Sequence, residues 1–300
     1  MVRPSLPGRK VIPAASTSAS TPEGSHVADA LTEKYYSVYI LDKVKSRYLK
    51  KNQNMIIGDI TEQTVIDKNI KNKNFVFNFA GIADIEESKT KPLETIRQNV
   101  IPSIKISEAC IKYKVQKYIL ASTIYVDSDQ GFFYKCSKQA AEKYIEEFSK
   151  IYKTKYCILR FGSLYGSRAS FNNGLYKLIY DLVHSNKITY VGKSDAQREY
   201  IHVLDAANAC VDLLDKKYDN QKITITGENK FKIEEIIKII AEILNKKIKV
   251  KYLNKSSDNS GHYHITPYTF KEDISKKYTL PFHIDIGQGI IDIIKDIKKL

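Results

Sequence analysis

The chain has 300 residues, 43% of them apolar and 27% charged, with a formal net charge of +14. That apolar share can bury a substantial core, which excludes a wholly disordered chain, and no apolar run approaches the ~20 residues of a membrane span. The excess charge comes from dispersed lysines, denser at 43–51, 68–73 and 246–251, a pattern of solvated surface lysines that gives no nucleic-acid patch and predicts no membrane partner.

Residues 1–23 differ from everything after them. They hold four of the eight prolines, clustered Ser, Thr and Ala, one lysine and one isoleucine. This composition predicts an atypical leader or a disordered tail. The short run Val11-Ile12 is cut by Pro13, so no first strand is recognisable. From Gly24 the pattern becomes periodic. Residues 25–34 read as a helix, with Val27, Ala28, Ala30 and Leu31 apolar. Ser37–Leu41 reads as a strand ending at Asp42, Met55–Ile57 as a short strand before Gly58-Asp59, and Phe75–Phe79 as a buried strand ending in Ala80-Gly81. Residues 93–113 predict a long helix, Tyr118–Ala121 a strand with Ser122-Thr123 at its carboxyl end, 135–152 a helix and Tyr156–Arg160 a strand.

Short apolar strands separated by helices predict an α/β fold with a doubly wound parallel sheet. Ligands bind such sheets beyond the carboxyl ends of the strands, where Asp42, Asp59, Gly81, Ser122 and Thr123 fall. After Gly166 the rhythm loosens. Helices are expected at 174–184, 204–215 and 232–245, with strands at Ile188–Val191 and Ile223–Thr226. The expected division is a leader at 1–23 and a dinucleotide-binding part at 24–167, to which 196–226 contribute. Residues 168–195 and 227–300 then form a smaller, interleaved substrate region.

The four cysteines, Cys110, Cys136, Cys157 and Cys210, include no CxxC pair and no histidine at ligand spacing. They read as reduced and mostly buried thiols, so no metal site is expected. With no secretory apolar stretch, a cytoplasmic protein is expected.

The sharpest chemical feature is Tyr134-Lys135-Cys136-Ser137-Lys138. Tyr and Lys four apart share one helix face. An ammonium beside a phenol stabilises the phenolate and lowers the tyrosine pKa from about 10. A tyrosine so tuned exchanges a proton with a sugar hydroxyl near neutral pH. The same spacing also arises as a plain exposed pair in a chain rich in both residues. Ser122-Thr123 lies just upstream, where a hydroxyl either binds the same substrate oxygen or simply caps a turn.

Taken together, these features resemble the NAD-dependent epimerase/dehydratase family, the extended short-chain dehydrogenases. The matches run in order. Gly24-Ser25-His26-Val27 resembles the end of a glycine fingerprint, and Tyr39-Ile40-Leu41-Asp42 a second strand with its ribose-binding acid. Gly58-Asp59-Ile60 resembles an adenine-contacting turn, and Asn78-Phe79-Ala80-Gly81 a segment passing the cofactor. Asn99 matches a helix asparagine, Ala121-Ser122-Thr123 precedes Tyr134 and Lys138, and Leu159-Arg160-Phe161 through Leu164-Tyr165-Gly166 matches the next strand and turn. Arg198-Glu199-Tyr200-Ile201-His202-Val203 resembles the motif whose arginine reaches a substrate diphosphate.

The resemblance implies a Rossmann-like fold over residues 24–300 and NAD bound by Gly24, Asp42, Asp59, Ile60, Phe79, Ala80, Gly81, Asn99, Tyr134 and Lys138. It implies catalysis by Thr123, Tyr134 and Lys138, and a nucleotide-diphosphate sugar held by Ser122, Asn172, Asn173 and Arg198. A homodimer through 93–113 and 135–152 is also implied. Asp42 favours NAD over NADP, because a carboxylate there accepts from a ribose 2′-hydroxyl and repels a 2′-phosphate. His262 and His264, flanking Tyr263, are either pocket residues or polar loop.

Several positions depart from the family pattern. Ser18 and Thr21 occupy the first two fingerprint slots, and Glu23 brings a negative charge to the pyrophosphate position. Asp127-Ser128 stands where Tyr-Gly is usual, and the connection from Thr123 to Tyr134 is short. Ile124-Tyr125 replaces the Asp-Glu that dehydratases carry. Three readings stay open: a sugar-nucleotide epimerase, a ketosugar reductase or dehydratase, and a non-catalytic dinucleotide binder.

Overall fold

The computed structural model describes residues 9–14, 22–253, 265–266 and 275–299. The chain runs β1 (Lys10–Ala14), α1 (Pro22–Glu33), β2 (Ser37–Asp42), β3 (Gln53–Ile57), α2 (Gln63–Ile70) and β4 (Phe75–Asn78). Next come α3 (Ile85–Thr90), α4 (Pro92–Thr95), a π-helical turn over Ile96–Val100, α5 (Ile101–Lys112), β5 (Lys117–Thr123), a 3-10 turn over Ile124–Asp127, α6 (Phe132–Tyr152), β6 (Tyr156–Phe161) and β7 (Ser163–Tyr165). The remainder is α7 (Gly174–His184), β8 (Lys187–Val191), β9 (Gln197–His202), α8 (Val203–Asp212), β10 (Gln221–Ile225), β11 (Lys230–Lys232), α9 (Ile233–Leu244), β12 (Lys249–Leu253), β13 (Lys276–Lys277) and α10 (Ile286–Lys299).

Among the described residues, eight strands form one sheet in the order β3-β2-β1-β4-β5-β6-β10-β13, and every neighbouring pair is parallel. The order runs outward from β1 and β4 in opposite directions, so the crevice of this doubly wound sheet opens there. The strands are short and rich in β-branched and aromatic residues, and all four residues of β4 are buried, as strands covered on both faces require. On one face, Val27, Ala28 and Leu31 of α1 and Ala206, Ala207 and Cys210 of α8 pack on the sheet. On the other, Ile66 and Ile70 of α2, Ile106 and Ala109 of α5, and Ala141 and Ile145 of α6 do so. A separate core joins α7, α9 and α10 through Ile179, Leu182, Ile236, Ile240, Ile290 and Ile293. No helix among the described residues is long and apolar enough to cross a membrane.

The first strand, unrecognisable in the sequence, is present. Lys10–Ala14 lies inside the sheet, with Val11 opposite Val38 of β2 and Ile12 opposite Val76 of β4. Val11 and Ile12 are fully buried. A proline removes one ladder donor from a strand, and the pairing continues past it, with Ala14 opposite Leu41 and Asn78. The helix after it starts at Pro22, so Glu23 belongs to its first turn rather than to a leader. The fingerprint slots Ser18 and Thr21 lie outside the described residues. Helices α2 and α10 are further elements that the sequence reading did not assign.

Candidate active site

The reacting groups meet where β5 hands over to α6. Thr123 ends β5, and its hydroxyl accepts from the Tyr125 N–H at 3.3 Å, capping the 3-10 turn. That turn and Gly131 (φ +102) close the short connection to Tyr134. The Thr123 hydroxyl also lies near enough to the Tyr134 phenol to favour its ionised form. Lys138, one helical turn on, is buried. Its Nζ lies 6.0 Å from the centre of the Tyr134 ring and donates to the Ala121 carbonyl at 2.8 Å. Thr123, Tyr134 and Lys138 are thus brought together.

The electrostatics differ from the expectation that Lys138 lowers the Tyr134 pKa. Burial pushes the phenol up to about 12; the Thr123 hydroxyl opposes this, and the Glu23 charge adds to it. Lys138 is pushed down to about 8, again by burial, with the Glu142 charge opposing. Desolvation of both charged forms therefore outweighs their mutual effect.

Ser122 is turned to the other side of β5 from Thr123. Its hydroxyl donates at 2.5 Å to Glu142, which receives Nε and Nη2 of Arg160 at 3.1 and 2.7 Å. Arg160 Nη1 reaches Asp127 at 3.0 Å. Asp127, unusual by sequence, is the third arm of this buried network beneath the catalytic helix.

Several predicted ligand residues lie at the carboxyl ends of β2, β3 and β4. Asp42 closes β2, fully buried, with its Oδ1 accepting from the Val44 N–H at 3.3 Å. Asp59 follows β3. Burial would raise its pKa, but the Thr61 N–H and the Lys43 ammonium 3.0 Å away hold it below the usual carboxylate range. Ile60 beside it is buried, as are Phe79 and Ala80 after β4. Gly81 turns the chain at φ +138, and a Cβ there would collide with Asn99 Oδ1. Asn99 is fully engaged: Oδ1 accepts from the Ile82 N–H at 2.7 Å, and Nδ2 donates to the Ile82 carbonyl at 3.0 Å and to Ser137 at 2.9 Å. It ties the Gly81 turn to the catalytic helix. Gly24 is buried in the first turn of α1, whose N-terminus points at the crevice. Burial pushes the Glu23 carboxyl in that turn up, toward its neutral form. A glycine turn, strand-end acids and a helix N-terminus around one crevice fit a dinucleotide.

A cleft of about 450 Å³ opens between this crevice and the loop after β7, lined in part by Glu23, Gly81, Asn172 and Asn173. Asn173 also caps α7, accepting from the Tyr176 N–H at 3.0 Å. Arg198 is not among the described residues lining the cleft; it sits on β9, where Nη1 donates to the Gln197 carbonyl at 2.8 Å. His262, Tyr263 and His264 lie outside the described residues.

Arg168 was not anticipated by the sequence. It follows the β7 turn at φ +62 and reaches α1, donating to Ser25 Oγ at 2.9 Å and Asp29 Oδ2 at 2.7 Å. It fastens the cleft loop to the helix at the crevice. Its position two residues after Gly166, in a loop of small residues, was the available signal.

Comparison with known proteins gives concordant results. A family model described as the NAD dependent epimerase/dehydratase family matches residues 23–226. A Methanocaldococcus jannaschii protein, provisionally named a UDP-glucose 4-epimerase, is 25% identical over 298 residues, covering 92% of this chain and 95% of its own. A UDP-N-acetyl-alpha-D-glucosaminuronate decarboxylase of Bacillus cytotoxicus is 24% identical over 316 residues, covering 92% and 95%. The solved structure of UDP-glucuronic acid 4-epimerase from Bacillus cereus, in complex with UDP-glucuronic acid and NAD, superimposes with a TM-score of 0.82 at 20% identity. That match spans 97% of this chain and 99% of that one, and it establishes likeness of fold.

Proposed function

Because this chain belongs to the NAD-dependent epimerase/dehydratase family, we propose that it is a nucleotide-sugar epimerase that transiently oxidises a sugar hydroxyl. The observation that carries this reading is the meeting of Thr123, at the end of β5, with Tyr134 and Lys138 on one turn of α6, the Lys138 Nζ 6.0 Å from the Tyr134 ring centre. The residues at the carboxyl ends of β2, β3 and β4 would hold NAD, Asp42 serving the ribose and the Gly81 turn allowing close backbone approach. When bound, its nicotinamide supplies the hydride acceptor and then the hydride donor. Thr123 orients the sugar hydroxyl. Tyr134 would take the proton of that hydroxyl at its phenol oxygen as the carbon is oxidised and return it as the carbon is reduced again. Lys138 would hold the ribose side of the cofactor. Asn172 and Asn173, which line the cleft, would serve the sugar diphosphate.

Dehydration is disfavoured, since Ile124, buried, stands where a dehydratase carries a carboxylate. The similarity to a uronate decarboxylase raises a second reading, which requires an acidic sugar. Incubation of the NAD-loaded protein with UDP-glucose, followed by proton NMR, is expected to show the C4 epimer with no solvent deuterium at the inverted carbon. Net loss of water, or no conversion of any of UDP-glucose, UDP-N-acetylglucosamine and UDP-glucuronate, would sink the epimerase reading.

A homodimer through α5 and α6 is part of the proposal. Leu93, Ile96, Phe133 and Tyr144 are exposed apolar side chains on these helices and the turns leading into them. Light scattering is expected to give twice the chain mass of 34.3 kDa. Leu93→Lys combined with Tyr144→Lys should give the monomer mass; an unchanged dimer would place the interface elsewhere.

A further inference from the structure

The cleft wall built by α3, α4 and the π-helical turn is made of hydrogen-bond acceptors. Asp84, Glu87 and Glu94 line it, and Glu23 stands nearby in the same lining. Lys91 is the one cation among the described lining residues, and its Nζ is held 3.0 Å from Glu87. At the floor lies Gln98, only 8% exposed. Its Nε2 donates to Glu94 at 2.6 Å, while Oε1 is fully buried and receives no hydrogen bond from any described residue. Exchanging the amide oxygen and nitrogen would set two acceptors against each other, so Glu94 fixes this orientation.

The backbone explains why the side chain is there. Pro102 has no N–H for the Gln98 carbonyl four residues earlier and would clash with it. The chain widens into a π turn over Ile96–Val100 instead, a distortion frequent at functional sites. A buried acceptor left unpaired costs free energy, and in a binding cleft a ligand donor recovers that cost. The terminal torsion of a glutamine is soft, so a small rotation of the amide, with Glu94 following Nε2, brings Oε1 within reach of a donor in the cleft.

We infer that this wall selects a neutral sugar whose facing groups are hydrogen-bond donors, with Gln98 as the specificity-determining acceptor, and that it disfavours uronates. The inference rests on the nucleotide-sugar reading above. A hydroxyl or amide N–H satisfies Gln98 Oε1 and the carboxylates together. A uronate carboxylate would add a like charge to the wall and bring no donor.

The test is calorimetric titration of the NAD-loaded protein with UDP, UDP-glucose and UDP-glucuronate. UDP-glucose is expected to bind at least about tenfold tighter than UDP-glucuronate. Gln98→Met keeps the length and removes the acceptor. It should weaken UDP-glucose about fivefold or more, leave UDP within about twofold, and hold or raise the melting temperature, because a purely structural glutamine would lower it. Glu87→Gln with Glu94→Gln should narrow the gap by strengthening UDP-glucuronate, and serves if Gln98→Met fails to fold. Equal affinity for the two sugars with UDP binding intact overturns the selectivity alone. Failure of UDP and both sugars to bind overturns the nucleotide-sugar reading and the selectivity with it.

Discussion

Tyr134→Phe is expected to lower turnover at least ~100-fold, the scale of a lost general acid–base group, while the protein stays folded. The ring is retained, and only the phenol oxygen is removed. The variant also has a pH signature. In the folded protein the phenol is pushed up from the ordinary value of 10 to about 12. A raised tyrosine pKa contributes stability that is fully present below the unfolded value and lost as pH rises through the folded one. The wild type should therefore lose stability between roughly pH 10 and 12 more steeply than the Phe variant. Turnover measured on the sugar nucleotide, with thermal melts across that range, checks both parts. Near-normal turnover would remove Tyr134 from the mechanism.

Arg160→Leu should give the largest loss of stability. Arg160 and Glu142 are 6% and 4% exposed at their side chains and bonded at two points. Removing one partner strands a buried carboxylate that keeps a hydrogen bond from the Ser122 hydroxyl. Breaking a buried pair in this way costs about 3–5 kcal/mol. Converting Glu142 to Leu as well should recover much of that, because the desolvated charge is gone. Urea unfolding of the single and double variants measures it. A single-variant loss under ~1 kcal/mol would mean that the network is not desolvated in solution. Turnover in Arg160→Leu should also fall, since Asp127 and Ser122 border the Thr123 turn, though by less than in Tyr134→Phe.

Much of this architecture was legible in local pattern. The strands at 37–42, 75–78, 117–123 and 156–161 announced themselves by apolar runs, and the catalytic helix by Tyr134 and Lys138 one turn apart. β1 was illegible because Pro13 contradicts the local rule for a central strand, and only the flanking β2 and β4 override it. α10 carries Ile286, Ile290, Ile293, Ile294 and Ile297 at helical spacing, but Gly287 and Gly289 in its first turn weaken the signal. Within the site, the spacing of Tyr134 and Lys138 gave their proximity but not their electrostatics, since desolvation is a property of the whole packed environment. Ser122 was indistinguishable from Thr123 by sequence; its partner Glu142 is 20 residues away on another element. Gln98 and the acids at 84–94 carry no motif in the sequence, and only their placement beside the Gly81 turn makes them a cleft wall.

The central place of β1 bears on how the protein is made. On the ribosome, this strand leaves the exit tunnel before either neighbour exists. β2 begins at Ser37 and β4 ends at Asn78, so at about 5–20 residues per second β1 waits several seconds for its second partner. During that interval Val11-Ile12 is an unpaired apolar segment of the kind that recruits strands from other nascent chains. Pro13 denies such a visitor a backbone donor midway along the segment. The residue that hid the strand from the sequence reading thus acts as a gatekeeper during synthesis, at the cost of one ladder hydrogen bond in the finished sheet.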